Sequence, residues 1–279
     1  MANLIDRLTT DNAQENVLEA KENEYLKDGL PYCKTCNEPK YFDYNGKIVN
    51  AVCSCFTKQQ EEEAEREART AKEEIILKLK EKSLLGKMFK NARFENLDPK
   101  RDNDLMEIVD RTKLYVENFK AIKEEGQGIY IFGDVGTGKS YLTACIGNEL
   151  MDNGYSVLFT NFSEISKMIR ETYDFDSRKS ESEVLRELTD VDLLIIDDLG
   201  TEKNITAENS FLQEKVFEVI NNRYINKKSI IFTSNYSISD LYNRGVEERT
   251  VDRISEMSTV NFRVKGISYR VKARNAPLF

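Results

Sequence analysis

Eight consecutive residues carry the clearest chemistry in this sequence: Gly133, Asp134, Val135, Gly136, Thr137, Gly138, Lys139 and Ser140. They fit the pattern G-x-x-x-x-G-K-[ST], in which glycines let successive backbone N–H groups close around phosphate oxygens. An apolar run at 128–132 precedes the motif, and "YLTACIGNEL" follows it with helical periodicity. Strand, loop and helix are the context the motif needs, because the helix N-terminus adds the positive end of its dipole. In that setting Lys139 suits the β and γ phosphates of ATP, and Ser140 suits Mg2+. Cys145, inside the helix, reads as core.

A second pattern, "VDLLIIDDLG" at 191–200, ends an apolar run in two adjacent carboxylates, Asp197 and Asp198. Two like charges beside a core strand are costly unless a cation compensates them. The expected arrangement is a parallel strand neighbouring the phosphate-loop strand. It delivers Asp197 to Mg2+ at its C-terminal end, where α/β sheets place ligands. Asp198 then lies off the metal and polarises a water toward the γ-phosphate. A further apolar run, "SIIFTSN", ends in Asn235, whose amide can orient that water. The three motifs together predict ATP hydrolysis.

Composition narrows the alternatives. The 279 residues contain no histidine, which excludes Ser-His-Asp and Cys-His nucleophiles and a histidine proton shuttle. The net charge of −8 confines any nucleic-acid contact to a local basic patch. No apolar run approaches the ~20 residues of a membrane span, and "MANLIDRLTTDNAQ" lacks the apolar core of a signal peptide. The chain is expected to be cytoplasmic, with no membrane partner.

Four of the five cysteines fall within 23 residues: Cys33 and Cys36 as C-x2-C, Cys53 and Cys55 as C-x-C. Two short pairs flanking a loop fit a tetrahedral, structural zinc site with four thiolate ligands and no open position. The intervening "KYFDYNGKIVN" predicts a hairpin turning at Asn45-Gly46. Next, "FTKQQEEEAEREARTAKEEIILKLKEKSLL" places Ala64, Ala68, Ala71, Ile75 and Leu79 at helical spacing, with i,i+4 ion pairs supporting a solvated connecting helix. Gly86 is expected to end it. The predicted domains are a zinc-binding partner module over 1–56, a connecting helix over 57–85 and an ATPase domain over 86–279. The fold class is α/β, a P-loop domain with a mostly parallel sheet sandwiched by helices. The last 22 residues alternate apolar and basic side chains, which predicts a β-hairpin turning at Lys265-Gly266.

"GDVGTGKS", "DLLIIDDLGTE", "IIFTSN" and "ERTVDRI", in this order, resemble the AAA+ ATPases of the DnaC/DnaI helicase-loader group and the related IstB transposition ATPases over roughly 86–279. The cysteine module resembles the DnaI-type loaders, although their zinc site usually includes a histidine. The resemblance implies Walker A at Gly133–Ser140, Walker B at Asp197 and Asp198, and sensor 1 at Asn235. It further implies an arginine finger at Arg253, with Arg249 as alternative, and a sensor 2 arginine at Arg270. Phe94, in "KMFKNARFENL", falls in the segment that lines the adenine pocket in these ATPases. Lys167, Arg170, Arg178 and Lys179, with Tyr173 and Phe175, fall where family members touch single-stranded DNA. The implied task is loading a replicative ring helicase onto single-stranded DNA, with a homo-oligomer sharing ATP at its interfaces. The rivals are an ATPase regulating a transposase, a nucleotide-gated adaptor with negligible turnover, and a small-molecule phosphotransferase.

Overall fold

The computed structural model describes residues 20–45, 47–97, 103–177, 179–201 and 207–266. It comprises two compact units, Met1–Ala71 and Lys72–Phe279. In the first, β1 (Glu24–Lys27) and β2 (Leu30–Cys33) pair antiparallel. Asp28 and Gly29 between them both have positive φ, 53° and 76°, the combination that matches the twist of paired strands in a two-residue turn. A second hairpin joins β3 (Tyr41–Tyr44) to β4 (Lys47–Asn50), with Tyr44 opposite Lys47. Asn45, the first residue of the predicted turn, has φ 52°. Among the described residues of this unit the buried apolar side chains are few, and Cys33 and Cys53 are two of them. The cysteines therefore stand where an aliphatic core would be.

The helix α1 (Ser54–Lys82) buries Leu79 alone, and Ile75 is 54% exposed, so the helix is largely solvated. Its end differs from expectation. Ser83 interrupts it and caps α2 (Leu84–Met88), its hydroxyl accepting from Leu85 N–H at 3.0 Å. Gly86 lies inside α2. A cap hydroxyl followed by two apolar residues turns the chain into the core, since Leu84 and Leu85 are both buried.

The second unit is built on a five-stranded sheet in the order β6-β7-β8-β5-β9, with every pair parallel. The strands are β5 (Gly128–Gly133), β6 (Val157–Asn161), β7 (Leu193–Leu199), β8 (Ser229–Ser234) and β9 (Ser258–Val264). Helices flank it: α3 (Asn103–Glu117), α4 (Phe119–Glu125), α5 (Lys139–Asp152), α6 (Phe162–Arg170), α7 (Glu181–Asp190), α8 (Ala207–Ile225), the short α9 (Ile238–Leu241) and α10 (Glu248–Met257). The first four residues of β5, β6, β7 and β8 are all buried, as expected of strands covered on both faces.

The strand order corrects one expectation. The acidic strand β7 does not neighbour β5, because β8 lies between them. Both β7 and β8 are apolar on both faces, so burial alone could not have ordered them. At the C-terminal end, α10 leads directly into β9, which pairs with β5 and buries Phe262 and Val264 while exposing Arg263. The second strand of the predicted hairpin, with Arg270, lies outside the described residues.

Arg223, on α8, is fully buried and anchors this unit. It donates to the carbonyls of Leu188, Thr189 and Val191 at 2.8–3.0 Å and to those of Asp192 and Ser229. It thereby satisfies the open end of α7 and the starts of β7 and β8 at once. Burial pulls its guanidinium down to about 9.

Candidate nucleotide site and cysteine cluster

The loop from Gly133 to Ser140 leaves β5 and enters α5. Gly133 has no alternative: a Cβ there would lie 1.9 Å from the Val264 carbonyl oxygen of β9. Gly136 and Gly138 follow at φ 82° and 97°, turning the backbone into a concave cradle. Thr137 is buried and its hydroxyl donates to Asp134 O at 2.9 Å, pinning the loop across its own mouth.

Lys139 is only 5% exposed. Its Nζ donates to Gly133 O, Asp134 O and Asn235 Oδ1, each at 2.9 Å. Asn235 Nδ2 donates in turn to Asp198 Oδ1 at 3.2 Å. The inserted strand β8 thus carries the amide that connects the loop lysine to the second carboxylate.

Asp197 and Asp198 differ in setting. Burial pushes the Asp197 carboxyl above its ordinary range, while hydrogen bonds from the Thr233 and Ser140 hydroxyls and the Lys139 charge pull it back. Thr233 Oγ1 donates to Asp197 Oδ1 at 2.5 Å and accepts the Asp198 N–H at 2.9 Å. Asp198 is exposed and sits at φ 61° in an irregularity of the β7–β8 register. A left-handed non-glycine residue costs backbone energy, least for Asp and Asn. The kink turns two adjacent residues of one strand toward different partners.

These groups line a cavity of about 630 Å³. Leu84, Met88, Phe89, Leu97 and Leu105 supply an apolar part of its lining. Asn161, capping α6 at the end of β6, lines it too. Phe94 does not line it; its ring is buried in the core, with Lys113 Nζ 5.9 Å from its centre. Asn148, buried on α5, donates to Phe89 O at 2.9 Å and to Ala92 O at 3.0 Å, fastening the apolar wall to the phosphate-loop helix. Sequence reasoning missed Asn96, Thr233, Asn148 and Asn161. Two had a local signal: Thr233, two residues before Asn235 in "FTSN", and Asn96, inside "KMFKNARFENL".

Arg253 and Arg249 are not among the residues that line this cavity. Arg253, on α10, stacks 4.5 Å from the Tyr224 ring centre, donates to Asn221 Oδ1 at 3.2 Å and pairs with Glu256 at 2.6 Å. Arg249 stacks over Phe217 at 4.2 Å and pairs with Glu247. Of the residues expected to contact DNA, Phe175 is fully exposed, Lys167 pairs with Glu171 and Lys179 pairs with Glu187. Arg178 lies outside the described residues.

In the first unit the four Sγ atoms of Cys33, Cys36, Cys53 and Cys55 lie within 4.8 Å of one another. Two of the separations are 3.4 Å and 3.3 Å, near the ~3.8 Å edge of a tetrahedron with Zn–S ~2.3 Å. Backbone N–H groups of Cys36 and Thr35 pull the Cys33 thiol down to about 6, whereas hydrogen bonding to the other sulfurs holds Cys55 up at about 12. The first thiolate forms readily and the next is resisted, a conflict that a bound cation removes. The donor set fits Zn2+, and all four ligands are protein thiols.

A phosphate-binding loop, an acid-tipped strand and a polar strand end, brought together on a parallel sheet of this order, define a P-loop ATP-binding domain of the AAA+ type. The sequence profile of the IstB-like ATP binding protein family matches residues 59–276. A replicative helicase loader DnaC from Buchnera aphidicola subsp. Baizongia pistaciae (strain Bp) is 28% identical over 221 residues, 75% of this chain and 84% of that one. An insertion sequence ATP-binding protein from Sinorhizobium fredii (strain NBRC 101917 / NGR234) is 34% identical over 154 residues, 52% of this chain and 47% of that one. A crystal structure of the DnaC helicase loader superposes with a TM-score of 0.53 at 25% identity, covering 63% of this chain and 97% of that one. The chain belongs to the IstB-like ATP binding protein family. Among the described residues no helix is long and apolar enough to cross a membrane.

Proposed function

We propose that this protein is an ATP-dependent helicase loader, delivering a replicative ring helicase to single-stranded DNA. The observation that carries the ATP chemistry of this reading is the chain Lys139–Asn235–Asp198, which links the phosphate loop to a carboxylate through the tip of β8. With nucleotide present, Lys139 exchanges its carbonyl partners for β and γ phosphate oxygens. Asn235 and Asp198 then hold the attacking water, and Asp198 takes its proton. Ser140 and Asp197 are the residues that would hold Mg2+, which when bound neutralises charge on the phosphates. Arg253 is assigned to the site of an adjacent subunit. The four-cysteine module is assigned to the helicase partner, folded around structural zinc. The DnaC relatives support the task, and the sheet and cavity support the ATP chemistry.

The S. fredii relative favours a second reading, an ATPase that regulates a transposase. One experiment separates the two. The full chain is mixed with a hexameric replicative helicase and circular single-stranded DNA, with ATP, with ADP or without nucleotide. An ATP-dependent increase in helicase retained on the circle supports loading. No helicase complex under any nucleotide condition refutes it and leaves the transposase reading.

A further inference from the structure

We infer that Asn96 is a specificity-determining residue, presenting a single acceptor to the 6-amino group of adenine. The inference rests on the nucleotide reading of the cavity and concerns which base it takes. Phosphates at Gly133–Ser140 leave the base against the remaining lining, where Leu84, Met88, Phe89, Leu97 and Leu105 are apolar. Such a wall packs on the ring faces and does not distinguish one purine from another. Asn96 is the polar side chain amid these residues.

Its orientation is fixed by chemistry. Asn96 Nδ2 donates to Asn91 O at 3.1 Å. A carbonyl can only accept, so the NH2 end must face it and the amide cannot flip. The backbone is held as well: Asn96 N–H donates to Arg93 O at 3.2 Å, in a turn of helix whose Phe94 side chain is buried. Oδ1 accepts no hydrogen bond among the described residues. A fixed lone acceptor complements the 6-amino donor of adenine. Guanine carries an acceptor oxygen at the same ring position, so the pair would repel.

The test compares affinities of the full chain for ATP, GTP and purine riboside 5′-triphosphate, which lacks any 6-substituent. The parent protein should bind ATP about 5–10-fold more tightly than the purine analogue, the worth of one hydrogen bond. Asn96→Ala should abolish that ratio by weakening ATP alone, with the purine analogue unchanged as the internal control for folding. Asn96→Asp keeps an acceptor but loses the donor to Asn91 O that orients it, so its preference should fall below that of the parent. A ratio that survives Asn96→Ala, or a parent protein without preference, overturns the assignment while leaving the nucleotide site intact. Failure to bind any of the three triphosphates would instead overturn the nucleotide site itself, and this inference with it.

Discussion

Asp197 and Asp198 are adjacent in sequence and opposite in circumstance, and the contrast divides their expected roles. Asp198→Asn keeps a side chain that tolerates left-handed backbone, so it should leave nucleotide binding nearly intact and slow hydrolysis by at least ~10²-fold in single-turnover assays. Asp197→Asn should weaken Mg2+-dependent nucleotide binding; equal affinity losses in the two variants would show that the roles are misassigned. Burial raises the Asp197 pKa in the nucleotide-free fold, so between its unfolded pKa, ~3.9, and that raised value the folded state binds more protons than the unfolded one. Its contribution therefore turns unfavourable as pH rises through that window. Asp197→Asn should raise the melting temperature of nucleotide-free protein at pH 7, with the gain vanishing at acidic pH; a lower melting temperature at pH 7 would contradict this. The phosphate loop and the carboxylate pair were legible because their geometry is local: glycines at fixed offsets, acids at the end of an apolar run. The bonds of Thr233 and Asn148 were not, because their partners lie 36 and 59 residues away in the chain.

Single elements show where sequence patterning suffices and where it fails. The strand β5, the helix α5 and the hairpin at Asn45 follow from period, glycine and turn chemistry. The end of α1 does not, since Ser83 outcompetes Gly86 only when the two leucines after it find a core. Arg223 is the sharper case. On a surface-type helix it reads as one more solvated charge, yet α8 uses it to close α7 and two strand starts. Arg223→Ala leaves several buried carbonyls unpaired and should cost about 3–5 kcal/mol in urea unfolding. Arg223→Lys should recover little, because one ammonium cannot span the fan of acceptors that a guanidinium reaches. A lysine variant of near-parental stability would reduce the residue to a generic buried cation.

At the scale of the whole molecule the two units should respond independently to metal. Stripping zinc with a strong chelator should make residues 30–56 protease-sensitive, while ATP binding in the second unit persists; a module that stays resistant and contains no zinc would refute the four-thiolate site. Assembly gives a further expectation. Arg253→Ala and Lys139→Ala proteins, each inactive alone, should recover some hydrolysis when mixed, because one interface then pairs an intact loop with an intact arginine. A mixture as inactive as its parts returns the role to Arg249. Fold class was legible from alternating strands and helices, but the position of β8 was not, because nothing in a run of buried residues states which strands will lie beside it. That position also sets a timetable. Lys139 must wait for Asn235, 96 residues later, and the β5 edge for Thr259, 131 residues beyond Gly128. At ~5–20 residues per second on the ribosome, the lysine waits roughly 5–20 s for the Asn235 amide. A chain arrested before residue 229 lacks both strands that pair with β5, so it should emerge with its phosphate loop complete and still fail to retain ATP.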